Sequence, residues 1–193
     1  MRLDAQAIFG LKKNPSMHEH ADLKYLDHYP DELKEKVRTL INNDGLAQLL
    51  LKKYPTLHEV RGDRALYEYV MGVKNEHLRK SGPIARIGWD DRMSALNNYL
   101  GVHKFVSRVH GNRLRASNEI LIASVFKKAP LAFLRMIAVH ELAHLKEKDH
   151  NRAFYNLCMH IEPDYHQIEF DMRLFLTCID LYGSPYTETS RGR

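Results

Sequence analysis

A chain of 193 residues, 44% hydrophobic and 27% charged, is long enough to bury one sizeable core, which excludes a large multidomain architecture and a wholly disordered chain. No apolar run reaches the roughly 18 residues of a membrane helix and no signal-peptide pattern precedes Lys12-Lys13, so a soluble, cytoplasmic protein without membrane partners is expected. The net charge of +5 permits attraction to nucleotides, nucleic acid or other anions, but the basic pairs are scattered rather than gathered into a stripe.

Residues 1–22 are mixed and polar, with Pro15 and His18-Glu19-His20, and read as a loosely held arm. From Asp31 to Lys53 apolar residues recur at helical intervals (Leu33, Val37, Leu40, Ile41, then Leu46, Leu49, Leu50), broken at Asn42-Asn43-Asp44-Gly45, which predicts two short helices. A third helix is expected over 63–80, ended by Ser81-Gly82-Pro83, so that residues 23–82 form a helical part. A poorly patterned stretch containing Trp89 and Leu96 follows. Alternation over 103–109 and 113–125 around Gly111-Asn112 predicts a β-hairpin, and the run Ile120-Leu121-Ile122-Ala123 within it fits a strand covered on both faces. Pro130 suits the first turn of a helix reaching about Glu147, and further helices are expected over 152–161, stopped by Pro163, and over 167–181. Cys158 and Cys178 lie in apolar-periodic segments without a CxxC spacing and read as buried free thiols. The expected fold class is α+β in a single domain over 1–193, with the hairpin and catalytic part at 83–193.

The chemistry is concentrated in His140-Glu141-Leu142-Ala143-His144. Four residues along a helix advance about 400°, leaving two imidazoles about 40° apart and one turn above each other, where one zinc ion accepts both. Glu141 lies about 100° further round, outside the direct chelate but within reach of a metal-bound water, so His140 and His144 read as ligands and Glu141 as the catalytic base. Leu131, Phe133, Leu134, Met136, Ile137, Val139, Leu142 and Leu145 surround the motif, marking a core helix. Two imidazoles and a carboxylate there carry a desolvation cost that a divalent cation offsets.

Catalytic zinc usually takes three protein ligands and keeps a position for water. His150 is the favoured third, completing HExxHxxxxxH, with Glu162, Glu169, His160 and His166 as rivals. An unbroken helix would carry His150 about 120° round and roughly 9 Å further along, so the helix must stop first, with Lys148-Asp149 turning and Asp149 or His150 capping the next helix. Metzincins share the spacing but turn on a glycine three residues after the second histidine. Glu147 stands there here, so a different turn is expected.

The segment Arg135 to Glu147, then His150, Ala153-Phe154-Tyr155 and Glu162-Pro163-Asp164-Tyr165-His166, resembles the YgjP-like metallopeptidase family. The likeness extends upstream through Ser107-Arg108-Val109-His110-Gly111, the Ile120–Ala123 strand and Lys52-Lys53-Tyr54-Pro55-Thr56-Leu57-His58. It implies a zincin-like fold in which a small twisted sheet packs on the active-site helix and the histidine matching His150 is the third ligand. The family is distantly similar to SprT-type and WLM-type zincins, but the cysteine pairs of the zinc ribbon that accompanies many SprT proteins are missing here.

The function expected from the residues and the resemblance together is zinc-dependent hydrolysis of a peptide or protein, with one zinc ion, Glu141 as general base, and Tyr155, Tyr165, His166 or Arg108 as the stabiliser of the transition state. The strand ending near Val125 is a candidate edge for aligning an extended peptide. An alternative aims the same chemistry at a nucleoside triphosphate or other phosphoanhydride, with Arg108, Arg113 and Arg115 attracting the phosphates, although no phosphate-cradling glycine pattern is present. A second alternative is a nucleic-acid-binding module with a structural zinc, on the basic hairpin.

Overall fold

The computed structural model describes residues 22–91, 101–110 and 113–186, and of 101–110 and 113–117 only the backbone and its pairing. Residues 1–21 of the arm expected at 1–22, with His18-Glu19-His20, lie outside the described residues, as does Leu96. The chain divides into two compact units, Met1–Pro55 with Asp171–Arg193, and Thr56–Phe170.

In the first unit, α1 spans Asp31–Asn42 and α2 Leu46–Lys53. Asp44 between them takes φ 53°, and the Gly45 N–H closes on the Leu40 carbonyl at 2.9 Å. A Cβ on Gly45 would meet Leu40 Cδ1 at 2.8 Å, so the turn predicted from Asn-Asn-Asp-Gly requires both a left-handed residue and a bare one. Val37, Ile41, Leu46 and Leu50 are buried, as are Met172, Phe175 and Leu176 of the last helix. Asp171, 4% exposed, is paired with Lys53 and accepts from the Tyr54 hydroxyl at 2.7 Å.

In the second unit, α3 spans Asp63–His77 and stops three residues before the expected end. Leu78 is buried, and both the Ser81 N–H (2.9 Å) and its hydroxyl (2.7 Å) donate to the Leu78 carbonyl, which satisfies the exit. A strand follows that sequence reading leaves as irregular. It is β1, Ile84–Asp90, which joins β2 (Gly101–His110) and β3 (Arg113–Ala123) in a sheet of order β1-β3-β2. The β2–β3 pair is the predicted hairpin, with His103 opposite Ile120 and Arg108 opposite Arg115. β1 runs parallel to β3, Trp89 opposite Ile122.

β3 is therefore the central strand, and Ile120, Leu121, Ile122 and Ala123 are buried, as a run covered on both faces requires. From Asn118 to Ile122 its backbone is paired on both sides, so this end cannot accept an extended peptide, and the expected edge near Val125 is corrected: Ser124–Lys128 is a short 3-10 helix. The Asp63 carboxylate joins α3 to β1, accepting from the Trp89 N–H at 3.0 Å, while Gly88 leaves room for that carboxylate at 3.3 Å from where a Cβ would stand.

Pro130 precedes α4, Leu131–Ala143, of which nine residues are buried, Glu141 among them. Beyond Leu145 the chain reads Lys-Glu-Lys-Asp-His-Asn-Arg and offers no apolar face, so the helix ends earlier than the expected Glu147. α5 spans Arg152–Ile161 and α6 Tyr165–Tyr182. Among the described residues no helix is long and apolar enough to cross a membrane, and Cys158 and Cys178 are free and buried. The architecture is α+β.

His58 illustrates how this unit fixes a polar ring in its core. Its Nε2–H donates to the Phe126 carbonyl at 2.8 Å, its Nδ1 accepts from the Val60 N–H at 3.1 Å, and the ring stacks on Trp89 at 6.3 Å. A proton on Nδ1 would break the Val60 bond, and burial holds the His58 pKa below the ordinary imidazole value. Because the folded pKa is depressed, the unfolded state takes up the proton first: the stabilisation is complete above about pH 6.5 and is lost as pH falls below it. Thermal unfolding between pH 7.5 and 5.5 is expected to show a decline that is shallower in His58→Gln. An equal slope in the two proteins would exclude His58 as its source.

Candidate metal centre

α4 presents His140 and His144 one turn apart, their ring centroids 5.1 Å from each other. The third imidazole arrives by a turn rather than by helix. His144 ends the helix at φ −62°, ψ −14°, the N–H groups of Lys146 and Glu147 both close on the Ala143 carbonyl at 2.9 Å, and the chain doubles back. Among the described residues Asp44 is the only non-glycine residue with positive φ, so Glu147 turns without the left-handed conformation that a glycine would supply. Asn151, rather than Asp149 or His150, caps α5, its side-chain oxygen accepting from the Phe154 N–H at 2.9 Å. His150 is thereby left free of capping duty.

His150 Nε2 lies 3.1 Å from His140 Nε2 and 3.2 Å from His144 Nε2. The opposite ring nitrogens decide what those three atoms can do. Nδ1 of His144 is 3.0 Å from the Glu147 carbonyl, which can only accept, so Nδ1 carries the hydrogen and Nε2 presents its lone pair. Burial also holds the His144 pKa below the ordinary value, favouring the neutral ring. Nδ1 of His140 is 2.6 Å from the hydroxyl of Tyr165, a fully buried side chain, and can be held in the same tautomer. Facing lone pairs repel unless a cation lies between them. A tetrahedral ion with zinc–nitrogen bonds of 2.0–2.1 Å sets its ligand nitrogens about 3.3–3.4 Å apart, close to the separations found. The donor set fits a divalent metal.

Among the described residues, His140, His144 and His150 are the group of metal-binding side chains that converges. The rivals do not join it. Glu162 is bound by Arg135 Nε at 2.6 Å, His160 is exposed on α5, and His166 and Glu169 face each other at 3.9 Å.

Phe154 forms the base of the site, its ring 5.0, 4.7 and 4.8 Å from those of His140, His144 and His150. Sequence reasoning assigns it no role, although it lies in the quoted Ala-Phe-Tyr segment. A fully buried aromatic under three imidazoles fixes their orientation and excludes water from that side. Of the expected stabilisers, Tyr155 lies 6.3 Å from the His150 ring and borders the centre, whereas His166 lies beyond it, 5.3 Å from the Tyr155 ring. Tyr165 stands behind His140, against the nitrogen that faces away from the convergence, where it can orient the ring. Arg108 occupies β2, and its side chain lies outside the described residues, as do those of Arg113 and Arg115.

Glu141 is 2% exposed, and burial pushes its carboxyl up to about 8, so that a cation in the neighbouring cluster is what would favour its ionised form. A Tyr165→Phe substitution keeps the packing but removes the partner of His140 Nδ1. It is expected to weaken metal affinity about 10–100-fold, read by competition with a chromophoric chelator, while the melting temperature of the metal-free protein changes little. An unchanged affinity would remove Tyr165 from the site.

Comparison with known proteins agrees with this chemistry. The model of the YgjP-like family, described as a metallopeptidase domain, matches residues 89–173. A protein of Escherichia coli (strain K12) named UTP pyrophosphatase is 52% identical over 161 residues, which cover 83% of this chain and 96% of the relative. No solved structure matches. The family model and the relative both point to a metal-dependent hydrolase, and the three imidazoles supply the ligand chemistry that such an enzyme needs. On the strength of that identity, sustained over nearly the whole relative, this chain belongs to the YgjP-like family.

Proposed function

We propose that this protein hydrolyses a phosphoanhydride bond of a nucleoside triphosphate, with zinc bound by His140, His144 and His150 and with Glu141 as general base. The observation that carries the reading is the 52% identity to a UTP pyrophosphatase across 96% of that protein. The resemblance to a metallopeptidase family ranks a peptide above a nucleotide. The motif itself prepares a nucleophile and is indifferent to whether carbon or phosphorus receives it.

A bound divalent ion supplies Lewis-acid polarisation of a phosphoryl oxygen and lowers the pKa of a coordinated water. The chain's own residues do the rest. His140, His144 and His150 would hold that ion, and His150 is exposed to solvent. Glu141 takes one proton from the attacking water as its oxygen joins phosphorus. The bond between the α and β phosphates then breaks, pyrophosphate departs, and Glu141 returns its proton to solvent. Tyr165 keeps the His140 ring in register throughout, and Tyr155, next to His150, donates to a phosphoryl oxygen with His166 beside it.

A second reading, cleavage of a peptide bond by the same residues, is favoured by the metallopeptidase description of the matching family model. One comparison separates the two: the zinc-loaded protein is given UTP in one assay and an unstructured protein such as casein in another. Pyrophosphate release from UTP with no new amines from casein is expected, and the opposite pattern would replace the nucleotide reading with the peptidase one.

A further inference from the structure

Where the C-terminal ends of α3 and α4 meet, an open pocket of about 360 Å³ is lined by Glu76, His77, Leu78, Arg79, Lys80 and Lys146. It holds three permanent cations against one carboxylate. Basic side chains at a helix exit ordinarily answer the helix dipole, and Arg79 does so, donating from Nε to the Asn75 carbonyl at 2.6 Å. Lys80 and Lys146 are different. Each lies three residues past its helix, is exposed, and has no hydrogen-bond or ion-pair partner among the described residues. Nε2 of His77 also lacks a hydrogen-bond partner among the described residues, with the Glu76 carboxylate at 3.5 Å.

Position ties this pocket to the metal centre. Lys146 is two residues beyond His144, in the same turn that returns His150, so its Cα lies within about 7 Å of that of His144. A nucleoside triphosphate brings close to four negative charges, of which a single divalent ion on the three imidazoles would offset about two. Phosphates that do not react need fixed cations of their own beside the ligand set, and lysines are well suited to bind them as point charges.

We propose that the Arg79–Lys80–Lys146 pocket is a polyphosphate subsite that holds the pyrophosphate portion of the substrate while the neighbouring phosphate reacts. The proposal deepens the nucleotide reading above and rests on it for the identity of the substrate, but its ligand chemistry, a pyrophosphate group, can be tested without turnover.

The test is calorimetric titration of zinc-loaded protein with inorganic pyrophosphate. Wild type is compared with the double variant Lys80→Gln/Lys146→Gln and with Lys80→Arg/Lys146→Arg. The glutamine pair is expected to weaken pyrophosphate binding about tenfold or more and the arginine pair to restore it, with zinc content and melting temperature unchanged in both. In the UTP assay the same glutamine pair should raise KM by a similar factor with kcat little altered. No pyrophosphate binding by wild type, or equal binding by wild type and the glutamine pair, would overturn the subsite. If pyrophosphate binds in a lysine-dependent way but UTP is not cleaved, the subsite stands and the proposed reaction falls.

Discussion

Replacing Glu141 by Gln is expected to leave zinc content at the wild-type level and to lower the hydrolytic kcat by about 10²–10⁴-fold, the range in which positioned acid–base groups contribute. The substitution keeps the side-chain volume on a helix whose other faces are packed, with Met136, Ile137, Ala138, Leu142 and Ala143 all buried, so the fold should survive it. It removes the one carboxylate that the helix carries into the core beside the ligands. Metal analysis together with pyrophosphate release from UTP gives both numbers from one preparation. Activity within tenfold of wild type would place the base elsewhere.

His150→Ala is expected to have the second large effect, this time on the metal. His140 and His144 share a helix and remain in place without their partner, but two imidazoles leave an ion short of the three protein ligands usual in catalytic zinc sites. The loss of affinity should exceed the roughly 10–100-fold attached to outer partners such as Tyr165. Because His150 is exposed and lies between two helices rather than within one, its removal should barely change the melting temperature of the metal-free protein. Equilibrium dialysis of zinc against the variant checks this, with His160→Ala and His166→Ala as controls that should bind as wild type does. If a control loses zinc and His150→Ala keeps it, the third ligand has been misassigned.

The sheet shows where sequence signals end. The β2–β3 hairpin is legible because alternation flanks a Gly-Asn pair, and the Ile-Leu-Ile-Ala run announces a strand covered on both faces. β1 is not legible. Its buried positions, Ile87, Gly88 and Trp89, are consecutive rather than alternate, and Gly88 is present to admit the Asp63 carboxylate from another element. Its strand character depends on parallel pairing with residues about thirty positions later, which no local window contains. Pro130 and Pro163, by contrast, punctuate the helices through local chemistry and leave their boundaries readable within a few residues.

The same division runs through the site. By itself the sequence determined that His140, Glu141 and His144 share one turn of a buried helix, since helical period and apolar surroundings are both local properties. It also required a break before His150, because a continuous helix carries that residue about 9 Å away. Only the tertiary structure decided the rest: that the turn closes on the Ala143 carbonyl without a left-handed residue, that Asn151 takes the cap, that Phe154 lies under all three rings, and that Tyr165 orients His140. The last two are meetings of side chains from different elements. Periodicity reports which way a residue faces within its element, whereas convergence depends on how the elements pack and where their chains turn between them.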